Sequence, residues 1–183
     1  MITRYKEYLE YIDKSLQKKF DAQKEYIKCK AGCDFCCKEG EFPLSELEYI
    51  YLMFFFSNLD EDKKNKIKQN IEELLIKHER LYKCPFLIDG LCSVYPARGI
   101  ICRTFGLIYY EKDSQKVPFC IDLGLNYSNS KINKNYNKEY TAKTEPLAYN
   151  ISRTILRSEK FEKDFDLFFG EDKTMIEWLR EDF

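Results

Sequence analysis

The chain has 183 residues, enough to close a hydrophobic core without the help of cross-links. Its 30 Lys and Arg against 31 Asp and Glu leave a formal charge of -1, which is not the basic balance of a nucleic-acid-binding protein. The longest apolar stretch, YIYLMFFF at 49–56, is too short to span a bilayer, and the opening MITRYKEYLEYIDKS lacks the apolar run of a secretory signal. A single domain over 1–183 in the cytoplasm follows as the expectation, with no membrane and no nucleic acid among its partners.

With only 7 Gly and 5 Pro beside 14 Tyr and 14 Phe, the chain reads as mostly helical. Residues 3–28 place Tyr5, Tyr8, Leu9, Ile12, Leu16, Phe20 and Ile27 at three- and four-residue steps, which predicts an amphipathic helix. After Pro43, Ser45 and Glu48 form a capping box that opens a helix to about Phe56, apolar on most faces and so expected to be buried. Asn58 or Asp60 can cap the next helix, whose face runs through Ile67, Ile71, Leu74, Leu75, His78 and Leu81 or Tyr82; the KKNKIK run near its start reads as a solvated face. Asp89-Gly90 between two apolar pieces predicts a turn, and LIYY (107–110) with VPFC (117–120) predicts a hairpin. NYSNSKINKNYNK at 126–138 reads as a mobile surface loop, followed by helices at about 144–160 and 171–182, the last carrying Met175, Ile176, Trp178 and Leu179.

The chemistry lies in eight cysteines. Cys29, Cys33, Cys36 and Cys37 crowd into CKAGCDFCC, which is expected to be a loop wrapped around its cargo. Cys84, Cys92 and Cys102 lie in CPFLIDGLCSVYPARGIICR, and Cys120 follows in VPFC. Thiolates at two- and three-residue spacing converge on a small volume, which is how soft metals are held. In a cytoplasmic chain such clusters favour metal or redox chemistry over disulfides. Adjacent Cys36 and Cys37 diverge in extended chain, so one is expected at the metal and the other at a second site or in the core. Cys84 and Cys92, flanking Asp89-Gly90, reach the same end of a hairpin. Arg103, with Arg98 nearby, is placed to offset the mutual repulsion of thiolates, an ordinary ion pair being its plainer role. His78, the one histidine, suits packing better than ligation, and Tyr95 suits packing with a partner for its hydroxyl.

The C-x3-C-x2-C-C run followed by CPFLIDGLCSVYPARGIICRTF resembles the YkgJ-type cysteine-cluster family, with its C-x2-C-x2-C-C opening and its C-P-x-L…G-x-C-x-x-Y-x-x-R-P…C-R-x-F block. Cys29, Cys33, Cys36 and Cys37 take the first set; Cys84, Cys92, Cys102 and Arg103 take the second, and Tyr95 and Arg98 fall on pattern positions. The likeness covers about residues 29–120. The first gap is one residue longer than the pattern, which leaves the role of Cys29 open, and Gly99 stands where proline is usual. The resemblance implies zinc or iron chelation. It makes all eight cysteines candidate metal ligands, Cys37 and Cys120 being the readiest bystanders, and makes Arg103, Tyr95 and Arg98 candidate cofactor-binding groups. A related cysteine domain in bacterial flagellin lysine methylases adds an enzymatic alternative. The run Cys29-x3-Cys33-x-Phe35-Cys36 also resembles the radical SAM motif, but that motif follows a strand in a larger barrel, whereas this run follows a long predicted helix.

The sequence therefore predicts an α+β fold with helices dominant, a helical shell around a small cysteine-rich core (about 29–120) with a short β-hairpin, and C-terminal helices at about 144–182. Its function is read as an iron–sulfur protein, [4Fe–4S] being favoured by the ferredoxin-like crowding of CKAGCDFCC, with zinc as the alternative cofactor. A protein redox partner would suit that role. The rival readings are a cluster-dependent enzyme acting on a protein or small molecule, methylase-like, and a metal delivery or storage protein.

Overall fold

The computed structural model describes residues 1–30, 32–77, 79–111, 114–130 and 148–183. In chain order these form α1 (Ile2–Ala22), α2 (Phe35–Lys38), β1 (Pro43–Ser45), α3 (Glu46–Ser57), α4 (Glu61–Lys77), β2 (Leu87–Ile88), β3 (Leu91–Cys92), α5 (Ile100–Thr104), β4 (Tyr109–Glu111), β5 (Ser114–Lys116), α6 (Arg153–Leu156), α7 (Glu159–Phe165), β6 (Asp172–Thr174) and α8 (Met175–Asp182). Short 3-10 helices lie at Tyr95–Ala97 and Phe119–Leu123. The fold is α+β and mostly helical, its strands forming antiparallel pairs β1–β6, β2–β3 and β4–β5. Among the described residues no helix is long and apolar enough to cross a membrane. The chain makes two compact units, Met1–Ala31 with Arg103–Leu167, and Gly32–Cys102 with Phe168–Phe183.

In the first unit α1 buries Tyr5, Tyr8, Leu9, Ile12 and Leu16, the stripe its periodicity predicts. Tyr8 meets the ring edges of Phe161 and Phe165 on α7 at 5.8 and 5.2 Å between centroids. The helix stops at Ala22, short of the predicted Lys28. Tertiary contacts draw the chain out of it: the Tyr127 hydroxyl donates to the Gln23 side chain at 2.5 Å, and Tyr127 N–H donates to the Tyr26 carbonyl at 2.8 Å. Ile27 then packs with Ile108, Ile121 and Tyr127 in a small separate core.

The predicted hairpin exists but is displaced. Tyr109–Glu111 pairs with Ser114–Lys116, so the polar segment supplies the second strand. Pro118, which has no N–H to give a ladder, instead leads into the 3-10 helix that Gly124 closes at φ 72°. Asn126 and Tyr127, expected in a mobile loop, are 1 % and 0 % exposed. The rest of that loop from 131 onward, the start of the predicted 144–160 helix, and His78 lie outside the described residues. From Ala148 on there are two short helices rather than one, because Ser152 and Ser158 each stand as an N-cap and begin a new turn.

The second unit is organised by two strands that each run straight into a helix. Leu44 pairs with Lys173 in β1–β6; Ser45 caps α3 and Thr174 caps α8, both with complete capping boxes through Glu48 and Glu177. Residues 171–174, predicted as helix, are thus extended up to that cap. The free N–H groups of the first turn of α3 go to the other end of the unit, Glu46 to the Glu171 carbonyl at 2.8 Å and Leu47 to Phe169 at 3.1 Å. Each such cap contributes about 1 kcal/mol. Trp178 donates its indole N–H to the Leu44 carbonyl at 3.1 Å and stacks on Tyr49, with Ile67, Ile71, Phe86 and Val94 filling the same core.

Asp60 caps α4 by accepting from Lys63 N–H at 2.9 Å. Ile67, Ile71 and Leu74 face inward as predicted, followed by Tyr82, while Leu81 is 50 % exposed. On α3 the expected burial holds for Leu47, Tyr49, Tyr51, Leu52 and Phe56 but not for Ile50 or Phe54. Ile71 has 0 % exposure and Ile76, on the same helix, 77 %. Ile71→Ala should therefore cost about 2–5 kcal/mol by cavity formation. Ile76→Ala should stay within about 0.5 kcal/mol of the parent. Urea unfolding of both variants, with equal losses, would contradict this packing.

Candidate metal centre

The second unit brings cysteines from three segments together. Cys37 sits on the single helical turn of α2, and its carbonyl accepts the Cys84 N–H at 2.8 Å. Cys84 leads into β2–β3, whose turn places Asp89 at φ 50° and Gly90 at φ 77°, the two left-handed residues of the predicted tight turn. Leu87 pairs with Cys92 across that hairpin. Cys102 lies in the first turn of α5 and donates its N–H to the Gly99 carbonyl at 3.0 Å.

These four thiols feel one another. Burial pushes Cys102 up to about 12, with the negative charge of Cys37 and Cys92 adding to it. Burial also raises Cys84 well above the ordinary thiol value, helped by Cys102, Cys92 and Cys37. Cys92 is raised by burial against an opposing hydrogen bond from the Val94 backbone. Cys37 alone is lowered, because the Cys36 thiol bonds to it, although burial and the Asp34 carboxylate oppose that shift. A single helical turn at Phe35–Lys38 stands where a loop was expected and carries both Cys36 and Cys37. Cys37, one of the eight candidate ligands, acts by its charge on Cys84, Cys92 and Cys102.

Cys33 and Cys36 are partly exposed in the same unit. Cys29 and Cys120 lie in the other. The exposed Cys29 sulfur accepts from Asn126 Nδ2 at 3.1 Å, while Asn126 also donates to the Gly106 carbonyl at 3.0 Å and accepts the Lys28 N–H at 2.7 Å. A Cβ on Gly106, at φ 104°, would stand 3.2 Å from that sulfur. No sequence signal singles out Asn126 from its Asn-rich surroundings. Cys120 is buried, and none of the eight cysteines forms a disulfide.

Arg103, buried on α5, is ion-paired with Asp13. Arg98 lowers both Cys92 and Cys102. Its guanidinium lies 3.9 Å from the Tyr95 ring centroid and donates to the Tyr95 carbonyl at 2.9 Å, so Tyr95 supports it from below while remaining 58 % exposed. A cleft of about 450 Å³ opens onto Cys84, lined by Lys38, Glu39, Asn70, Glu73 and Tyr82 among others.

The donor set suits a thiophilic metal: four sulfurs whose ionised forms repel one another, with one guanidinium as partial offset. Among the described residues, no three His, Cys, Asp or Glu side chains are already gathered around one metal-sized point.

The family model described as "CxxCxxCC: Putative zinc- or iron-chelating domain" matches residues 28–136, a span that contains all eight cysteines. No curated protein and no solved structure matches the chain.

A thiol whose folded pKa lies above its unfolded value favours the folded state while protonated. For Cys102 that contribution is whole below pH 9, the ordinary value, and is lost as pH climbs toward about 12. Cys84 and Cys92 act in the same direction. Reduced, metal-free protein should therefore lose stability over that window. Cys102→Ser, which cannot titrate there, should lose less. Parallel pH profiles for parent and variant in thermal melts would refute the assignment.

Proposed function

Since this chain belongs to the CxxCxxCC family, we propose that it is a metal-binding protein that holds an iron–sulfur cluster, [4Fe–4S], through Cys37, Cys84, Cys92 and Cys102, with Cys33 and Cys36 alongside. The observation that carries this reading is that four thiols, drawn from α2, the β2–β3 hairpin and α5 and joined by the Cys84 N–H bond to the Cys37 carbonyl, raise one another's pKa by charge. Buried thiols with raised pKa values do not ionise on their own; a bound cation supplies the charge that makes them thiolates, so binding releases protons and strengthens as pH rises. Six cysteines in one unit, all without disulfides, support a cluster over a single four-thiolate zinc. The same donors would take zinc, and that is the competing outcome.

The chain's own residues have separable tasks in this reading. Cys37, the thiol lowered by its neighbour, is the readiest to ionise first. Arg98 on its Tyr95 platform offsets part of the charge at Cys92 and Cys102. The bound group supplies one-electron chemistry or a structural lock, and a cytoplasmic setting suits either. The cleft at Cys84 favours, as a second reading, a cluster-dependent enzyme whose substrate enters there.

Anaerobic purification with iron, acid-labile sulfide and zinc analysis is the deciding measurement. About four irons and four sulfides per chain are expected. Cys84→Ser and Cys102→Ser should lose both metal and stability, and Cys120→Ser should keep them. Stoichiometric zinc without sulfide would move the reading to zinc. A metal-free protein that takes up neither would end it.

A further inference from the structure

Glu48 has two hydrogen-bonding tasks. One oxygen, Oε2, accepts the Ser45 N–H at 2.9 Å and completes the capping box of α3. The other, Oε1, accepts the Ile100 N–H at 2.7 Å, at the very start of the helix that carries Cys102. The carboxylate is 1 % exposed, so both bonds are made away from water, where a lost partner is costly. A capping box needs a carboxylate or amide at this position, but it does not need the second bond.

The chain around the joint is shaped for close approach. A Cβ on Gly99 would come within 2.4 Å of Leu44 Cδ2 and 3.2 Å of Glu48 Oε1. Leu44 has 0 % exposure, so its side chain would have to shift within the core to admit that Cβ. Glycine at this place lets α5 begin directly against the buried carboxylate. Gly99 in turn accepts the Cys102 N–H at 3.0 Å. An unbroken set of short contacts therefore runs from Ser45 through Glu48 and Ile100 to Cys102.

We infer that Glu48 is a positioning residue of the metal centre, using its second oxygen to fix the start of α5 and so the placement of the Cys102 thiol. This rests on the reading of Cys102 as a donor. Two substitutions separate the tasks. Glu48→Gln can keep its oxygen on Ser45 N–H but presents an N–H to Ile100, so the cap survives and the link to α5 does not. Ser45→Ala removes the side-chain half of the cap and leaves the Ile100 bond in place.

The test titrates reduced, metal-free protein with Co2+ and follows the thiolate-to-cobalt absorption. Glu48→Gln should bind Co2+ at least tenfold more weakly than the parent. Ser45→Ala, though less stable, should bind within about twofold of it. If Glu48 acts through Cys102, adding Glu48→Gln to Cys102→Ser should cost nothing further. Should Glu48→Gln not fold, Gly99→Ala disturbs the same joint and should show the same loss, absent in the Cys102→Ser background. Equal weakening by Ser45→Ala and Glu48→Gln, or full weakening by Glu48→Gln when Cys102 is already Ser, would overturn the inference and leave the metal site standing. A parent that binds no Co2+, or a Cys102→Ser variant that binds as well as the parent, would instead overturn the reading beneath it.

Discussion

Taking a thiol out of water disfavours its ionised form, and taking several out together adds their mutual repulsion. Cys84, Cys92 and Cys102 are all held in that condition, and Cys37 escapes it through the Cys36 thiol. The surrounding unit maintains the arrangement at a cost that grows with alkalinity, and Arg98 offsets only part of it.

Rigid placement of those thiols depends on strands that end in caps. β1 and β6 pair antiparallel, and each hands its last residue to the helix that follows as an N-cap. Trp178 ties α8 to Leu44 of β1, and Glu48 ties α3 to α5. Tyr95 provides similar support on the charge side, since a guanidinium stacked on a ring loses less freedom than one waving in solvent.

Local chemistry made much of this legible beforehand. The capping box at Ser45 and Glu48, the inward face of α4 and the left-handed turn at Asp89-Gly90 are all set by residues within a few positions of one another. What escaped the sequence is set by distance along the chain. The Glu48 bond to Ile100 spans 52 residues, and the β1–β6 register joins segments farther apart still. Spacing also hid the division of the cysteines: Cys29 and Cys33 are near neighbours in CKAGCDFCC yet belong to different compact units. The helix read over 3–28 overran because periodicity does not register that Tyr127 competes for Gln23 and Tyr26. Arg103 stands beside a cysteine in sequence and is ion-paired with Asp13, 90 residues away, while Arg98 lowers Cys92 and Cys102.

The partnership of β1 with the C-terminal segment also has a consequence for the order of assembly. Trp178 reaches back 134 residues to the Leu44 carbonyl, and pairings across so long a loop form after local ones because closure entropy must first be met. On a ribosome, every cysteine emerges before Phe168–Phe183 does. The thiols of the second unit therefore exist for a time as accessible chain, ionising at their ordinary pKa, before the core that raises those values is complete. A metal ion that meets the chain in that interval finds thiols ionising at their ordinary value, and the same interval leaves the unprotected thiols most open to oxidation.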